Sequence, residues 1–428
     1  MKSTTSLQYR FLTGALLILA VFLSLWRSFT PTIVRIRETS FDLNATIVAC
    51  LWCLVVIGLG YSLWAAQLFH TMLFRIRKNW LLIVFLALAS VSIAWSIAPG
   101  ITVYRVFALL GSTCVGIYLG STKDENKLLD VLFWAGVIIV ILSFALAIMM
   151  PFAGRMFFPP YNGAWRGLFW HKNELGSIMS LFALIFLFRA LRNFKVSLVI
   201  LDSIFYVLSV GLVYLSRSVA GYITLIFLHV AVIIVIIWLR LQSKLRRVHY
   251  FLISIGGGIV ALLIYFNLDR ILGVFNRSSD LTGRVQLWQY LLHDVVKESP
   301  IFGHGFGALW YLDSFRTQVQ KVVGWTYQVV IGDNGFMDIL LHLGWVGLSI
   351  FSLVFFLMFY RAIRYALSQR TFVSFLPLLI LIYSLIGNIS FSLFFETETF
   401  VWICMVAALF LATGDPRQGV TPALHKVT

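Results

Sequence analysis

Apolar runs of about 18 residues or more recur along almost the whole chain. That repetition sets the fold class before any motif is weighed. The runs fall at 11–28, 43–64, 80–97, 101–121, 129–150, 174–189, 195–215, 219–239, 249–267, 336–360, 373–389 and 398–413. The composition agrees: 60% of the 428 residues are hydrophobic, 12% are charged, and the mean hydropathy is +0.93. A soluble domain carries about 25% charged residues and covers its surface with them. The expected architecture is therefore an all-α polytopic membrane protein with about twelve transmembrane helices.

The net charge of +16 does not point to nucleic acid. The basic residues sit in short links between apolar runs, and no nucleic-acid module is present. One set of links carries Arg75, Arg77 and Lys78; Lys123 and Lys127; Arg189, Arg192 and Lys195; Arg240, Lys244, Arg246 and Arg247; and Arg361, Arg364 and Arg370. All fall on one side if the N-terminus is cytoplasmic, and both termini then lie there. Arg27, Arg35 and Arg37 are the exception, on the expected outer side. These charges also suit membrane-lipid headgroups. The first run lacks a small-residue cleavage site and is followed by further spans, so it reads as a helix rather than a signal peptide. Cys50, Cys53, Cys114 and Cys404 lie inside apolar runs. The C-x-x-C spacing of the first two has no accompanying ligand cluster, so they read as small hydrophobes.

Three polar segments remain for the outer side: Pro151 to Asn173, the link Ser216-Arg217-Ser218, and Leu268 to Asp333. The chain thus divides into nine helices over 1–267, a large outer loop over 268–333, and three helices with a cytoplasmic tail over 334–428. The loop is expected to be partly helical. Val285 to Val296 is amphipathic after a Thr282-Gly283 start.

The outer side also holds the candidate chemistry. Arg166, His171 and Lys172 precede the run at 174–189, Arg217 sits between two spans, and Arg284 opens the amphipathic stretch. Cations kept on the side that disfavours them point to a bound anion, and the arginine fork suits a diphosphate. Gly303-His304-Gly305-Phe306-Gly307 follows no strand and leads to no lysine–serine pair, so it reads as a tight turn rather than a nucleotide loop. His171, His293, His304 and His342 lack a metal-ligand spacing, and no metal or other cofactor is expected. Glu396 and Glu398 read as a solvated rim.

Taken together, several motifs resemble the O-antigen ligase and polysaccharide polymerase superfamily of bacterial envelope glycosyltransferases. They are Arg166-Gly167-Leu168-Phe169-Trp170-His171-Lys172-Asn173-Glu174-Leu175-Gly176, Ser216-Arg217-Ser218, Thr282-Gly283-Arg284 with Trp288, and Ser299-Pro300 with the following glycines. The last is Asp333-Asn334, nine residues, then Gly344-Trp345-Val346-Gly347. The resemblance covers roughly Arg166 to Trp402. It implies a GT-C-like membrane fold with a large periplasmic loop between helices nine and ten, in the bacterial inner membrane. It implies transfer of a glycan from undecaprenyl pyrophosphate at the periplasmic face to another glycan chain or to lipid A–core, with no metal and no nucleotide sugar.

In residues, it implies that Arg217 and Arg284 hold the pyrophosphate, and that the catalytic position at the start of span ten is Asp333, followed by Asn334. Arg166, His171 and Lys172 would assist in substrate binding. Ligases of the superfamily carry histidine where Asp333 stands and glutamate where Phe391 stands. Both departures favour an exopolysaccharide or O-unit polymerase over a lipid A ligase. His342 lies nine residues on, across the helix from Asp333; Asp338 and His342, four apart, could pair. A flippase also has about twelve spans, but it would show inverted repeats and broken helices at mid-membrane.

Overall fold

A computed structural model describes residues 43–65, 69–122, 125–157, 161–242, 284–325, 329–394 and 400–413, with fragments at 14–17, 19–20 and 23. Most of the run at 11–28, the run at 249–267 and loop residues 268–283 lie outside the described residues. So do Arg27, Arg35, Arg37, Lys123, Lys244, Arg246, Arg247, Glu396 and Glu398.

The described chain is helical, apart from one isolated antiparallel bridge between Arg155 and Trp165. Helices close every backbone hydrogen bond within one segment, which is what hydrocarbon demands. In order, they are α1 (Leu43–Ala65), α2 (Phe69–Lys78), α3 (Trp80–Val91), α4 (Pro99–Ser121), α5 (Glu125–Met149), α6 (Lys172–Arg192), α7 (Val196–Ser216) and α8 (Val219–Leu241). After the undescribed segment come α9 (Arg284–Tyr290), α10 (Asp313–Val323), α11 (Gly335–Gln369), α12 (Leu376–Ser390) and α13 (Phe400–Ala412). Among the described residues six helices, α4 to α8 and α11, are long and apolar enough to cross a membrane, and a seventh span forms if the bent pair α2–α3 counts as one. The protein is an all-α, multi-pass membrane protein.

Packing follows small residues. Gly116 and Gly120 lie one turn apart on α4, and a Cβ on either would meet the α13 backbone, at 2.9 Å from the Ile403 carbonyl oxygen or 2.5 Å from that of Ala407. Such close backbone approach is how helices associate where lipid supplies no hydrophobic drive.

One expectation needs correcting. Arg75, Arg77 and Lys78 were expected in a loop, yet they form the last turn of α2, and its chain axis bends by 80° into α3. Arg75 is buried, and its Nη1 donates to the carbonyls of Gly120 at 2.6 Å and Phe410 at 2.9 Å. A cation at helix C-termini meets orphan carbonyls and the negative end of the macrodipole. Arg361 completes this end of the bundle by donating to Asn79 Oδ1, Thr413 Oγ1 and the Lys78 carbonyl.

The second correction concerns the helix after Asp333. It runs to Gln369 rather than 360 and is interrupted at Gly344, whose φ of 64° and ψ of −167° are not helical. The interruption is filled by the glycine-rich stretch at 299–307. The N–H groups of His304 and Gly305 donate to the Leu341 and His342 carbonyls, each at 3.0 Å. The N–H groups of Trp345 and Val346 donate to the Pro300 and Ile301 carbonyls, at 2.9 and 3.2 Å. The stretch is a tight turn, and it also supplies the partners that the broken helix lacks. The same loop rests on the far end of α3, where Phe306 N–H donates to Ser92 Oγ at 3.1 Å and Trp95 Nε1 to the Phe302 carbonyl at 3.1 Å.

Candidate active site

At the end of the bundle opposite Arg75, five helix termini and the loop meet. The first is the start of α6. His171 is its N-cap, and Nδ1 accepts the Asn173 N–H at 3.2 Å. An Nδ1 that accepts carries no proton, so the imidazole proton sits on Nε2. Lys172, in the first turn, is 4% exposed. Its ammonium donates to the Arg217 carbonyl at 2.8 Å and stands 5.1 Å from the Tyr161 ring centroid.

The second is the turn from α7 to α8. Arg217 closes α7 with a φ of 51°, a left-handed conformation that costs any residue with a Cβ energy. The Lys172 contact to its carbonyl helps hold it there. Arg217 Nη1 donates to the Asn162 carbonyl at 3.2 Å. Ser218 caps α8 by accepting the Gly221 N–H and donates its own hydroxyl to Asn173 Oδ1, both at 3.1 Å. Gly176 of α6 and Gly221 of α8 cross so closely that a Cβ on Gly221 would lie 2.9 Å from the Gly176 Cα. The turn bearing Arg217 is therefore clamped on the start of α6.

Arg166 lies in the segment ahead of α6. Its Nε donates to the Ala153 carbonyl at 2.8 Å and its Nη1 to that of Trp170 at 3.4 Å. The remaining terminus pair is α9 with α11. Arg284 begins α9, and its Nε donates to Asp333 Oδ2 at 3.0 Å, both side chains being about 15% exposed. Asp333 also has a left-handed φ, of 51°. Asn334 spends its Oδ1 on capping α11, accepting from Phe336 N at 3.0 Å and Met337 N at 3.2 Å.

Arg166, His171, Lys172 and Arg284 are electrostatically coupled. Burial, then the charges of Lys172, Arg284 and Arg166, hold His171 down to about 3, so its ring is neutral at any physiological pH. It stands as a neutral Nε2–H donor among three cations. With Nδ1 occupied by the Asn173 N–H, it has no lone pair to offer as a base. The described site therefore sets the charges of Arg166, Lys172 and Arg284 on the His171 imidazole, links Lys172 to Arg217, and sets Asp333 against Arg284. Its excess of guanidinium and ammonium groups suits an anion with several oxygens. Among the described residues no three His, Cys, Asp or Glu side chains come together as a metal site.

Asp338 is a buried carboxylate whose role in this arrangement the sequence reading did not find. It accepts from Trp310 Nε1 at 2.8 Å, from Gly332 N at 3.0 Å and from the Ser392 hydroxyl. His342 is buried against the Phe306 ring, 5.6 Å between centroids. A signal for Asp338 existed: it is the single charged residue in the run at 336–360, and such a charge is costly in an apolar helix.

Residues 204–352 match the family model described as O-Antigen ligase (Wzy_C). That region holds Arg217, Arg284, Asp333, Asp338 and Gly344, whereas Arg166, His171 and Lys172 precede it. The chain is also 25% identical over 307 residues to "Exopolysaccharide production protein ExoQ" of Rhizobium meliloti (strain 1021), a match covering 67% of this chain. The match spans 65% of that relative, just under two thirds of its length. Both findings support the resemblance to the O-antigen ligase and polysaccharide polymerase superfamily.

Proposed function

We propose that the chain elongates a bacterial envelope polysaccharide. It would take a glycan from undecaprenyl pyrophosphate and pass it to the hydroxyl of an acceptor sugar, at the periplasmic face of the inner membrane. The observation that carries this proposal is the Arg284–Asp333 contact beside the cations around His171. A diphosphate needs the cations, a hydroxyl nucleophile needs a proton acceptor, and both lie at one end of the bundle.

The step is a single displacement. The acceptor oxygen forms a bond to the donor sugar C1 as the bond from C1 to the diphosphate oxygen breaks, and the anomeric centre inverts. The hydroxyl proton goes to Asp333. The leaving undecaprenyl diphosphate takes the bonding electrons, and Arg217 and Arg284 neutralise them with Arg166 nearby. Preorganised charge of this kind is commonly the largest catalytic contribution. Lys172 acts through the Arg217 backbone, and His171 donates Nε2–H to a diphosphate oxygen. A diphosphate seated on Arg284 competes with Asp333 for the guanidinium. Donor binding thereby frees the carboxylate that the acceptor needs. No metal or nucleotide sugar takes part, and the phosphate-linked glycosyl bond supplies the drive.

Transfer to lipid A–core is the second reading, favoured by the description of the matching family model. Aspartate at position 333 and phenylalanine at 391 favour polymerisation instead. The test uses purified protein in lipid nanodiscs with an undecaprenyl-pyrophosphate-linked repeat unit. Longer glycan with inverted linkage is expected, with kcat reduced at least about a hundredfold in Arg284→Ala and Asp333→Asn. Full turnover by Arg284→Ala overturns the donor assignment. Transfer to lipid A–core without elongation selects the second reading.

A further inference from the structure

The contact that carries the proposed reaction joins residues 49 positions apart, on a short loop helix and on a turn. Neither element alone fixes that distance. What fixes it is the backbone on either side of the Gly332 Cα, immediately before Asp333. Its N–H donates to Asp338 Oδ1 at 3.0 Å, and its carbonyl accepts from Trp288 Nε1 at 2.8 Å. Trp288 lies four residues after Arg284, on the same face of the same helix. Asp338 lies in the first turns of α11, the helix that Asp333 leads into. One backbone unit is thus gripped by the helix that carries the cation and by the helix that follows the carboxylate. A Cβ at position 332 would lie 2.6 Å from Asp338 Oδ1, so any side chain there displaces that carboxylate.

Asp338 is itself braced. Trp310 Nε1 reaches the same Oδ1 at 2.8 Å from a fully buried ring, and the Ser392 hydroxyl donates to the other oxygen. The carboxylate thereby joins the loop, the start of α11 and the chain after α12. A buried carboxylate with donors on both oxygens is costly unless all of them are met. Such a group is suited to fixing geometry rather than to accepting a proton from outside.

We propose that Asp338 and Trp288 are positioning residues which set the register of Asp333 against Arg284 by holding Gly332 through its N–H and its carbonyl, on the two successive peptides that meet there. This rests on the glycan-transfer reaction proposed above. Neither residue touches substrate. The Trp288 bond holds the carbonyl of the peptide that leads into the left-handed Asp333. A misplacement of about 1 Å at a reacting group costs on the order of a hundredfold in rate.

The test is a set of kinetic cycles in the nanodisc elongation assay. Trp288→Phe removes the Nε1–H and keeps a smaller aromatic ring at a partly buried position, with unfolding measured alongside to check the fold. It is expected to lower kcat about tenfold with donor KM within about threefold, as a removed hydrogen bond that acts on the transition state does. Asp338→Leu is expected to lower kcat at least about a hundredfold. Asp338→Asn keeps an acceptor oxygen for Trp310 and Gly332 and is expected to recover most of that loss. The deciding measurement repeats Trp288→Phe in the Asp333→Asn background. A positioning role predicts that the tenfold effect vanishes there, because the group being positioned is already gone. A persisting tenfold loss, or Trp288→Phe at parental kcat, overturns the positioning role while leaving the reaction intact. An Asp338→Asn as inactive as Asp338→Leu overturns it too, and makes Asp338 a proton carrier. If Asp333→Asn itself keeps full turnover, the reaction assignment fails first, and the inference fails with it.

Discussion

Replacing Gly344 by alanine tests the packing that carries the site. An alanine Cβ there would lie 2.3 Å from the Ile301 carbonyl oxygen and 2.6 Å from the Phe302 nitrogen. Both are backbone atoms, so neither can swing aside. The φ of 64° with ψ of −167° adds conformational strain of about 1–3 kcal/mol for any residue with a Cβ. Relief requires the stretch at 299–305 to withdraw from the break in α11, which breaks the four backbone hydrogen bonds that join them. Each contributes about 0.5–1.5 kcal/mol net. The combined loss is about 3–9 kcal/mol, within or beyond the range reserved for named structural failures. Equilibrium unfolding in mixed micelles, followed by tryptophan fluorescence, measures it. Limited proteolysis reports whether the loop at 299–307 has come away. Gly211→Ala is the control. No described atom lies within 4 Å of a Cβ at that helical position, and the change is expected to stay within about 1 kcal/mol of the parent. A Gly344→Ala protein as stable as the control, with its loop uncut, would refute the account of the break.

Two further outcomes follow from the geometry. Arg75→Met leaves the Gly120 and Phe410 carbonyls without their buried donor, so unfolding should shift by about 1–3 kcal/mol for each group that water does not reach. An unshifted midpoint would show that the contact contributes nothing. His171 is held down to about 3 by burial and by Lys172, Arg284 and Arg166, against an ordinary value of about 6.5. Between those values the unfolded chain binds a proton that the folded chain does not. The His171 contribution to stability is therefore complete above about pH 6.5 and declines as the pH falls toward 3. His171→Gln should flatten the stability–pH slope in that window, and an unchanged slope would contradict the neutral-donor assignment.

The helices and the residues of the site were differently legible in the sequence. Runs such as 219–239 announce themselves because lipid forces length and apolarity together. Arg217 and Arg284 stood out because each is a charge in a place that resists charge. What the sequence hid is pairing between distant backbones. The glycines at 303–307 read as a tight turn, and Gly344 as part of a motif inside the span at 336–360. They are one feature, and four amide–carbonyl contacts across about forty positions leave no mark in side-chain pattern. Arg75 was hidden for a related reason. Its partners are the carbonyls of Gly120 and Phe410, and any residue has a carbonyl. Asp338 was visible as a cost, but Trp310 and Ser392, which offset it, come from elements 28 and 54 positions away.

The two sides of the site differ in what backs them, and this has a measurable consequence. Arg217 rides on a crossing of α6 and α8 in which Ser180 Oγ donates to both the Gly176 carbonyl, at 2.7 Å, and the Gly221 carbonyl, at 3.0 Å. Side chains and close backbone contact reinforce each other there. Asp333 leads into a helix start whose continuity past Gly344 depends on hydrogen bonds to a loop. Segments joined mainly by such bonds open locally at lower free energy than close-packed helix crossings. Amide hydrogen exchange in nanodiscs should therefore find His304, Gly305, Trp345 and Val346 exchanging together, and sooner than residues 176–180 of α6. Joint exchange is the sharper half of the expectation, because withdrawal of one loop exposes all four groups in a single event. If His304 and Gly305 exchanged while Trp345 and Val346 stayed protected, the loop and the broken helix would not be one unit. Asp333 would then owe its place to the grip on Gly332 alone.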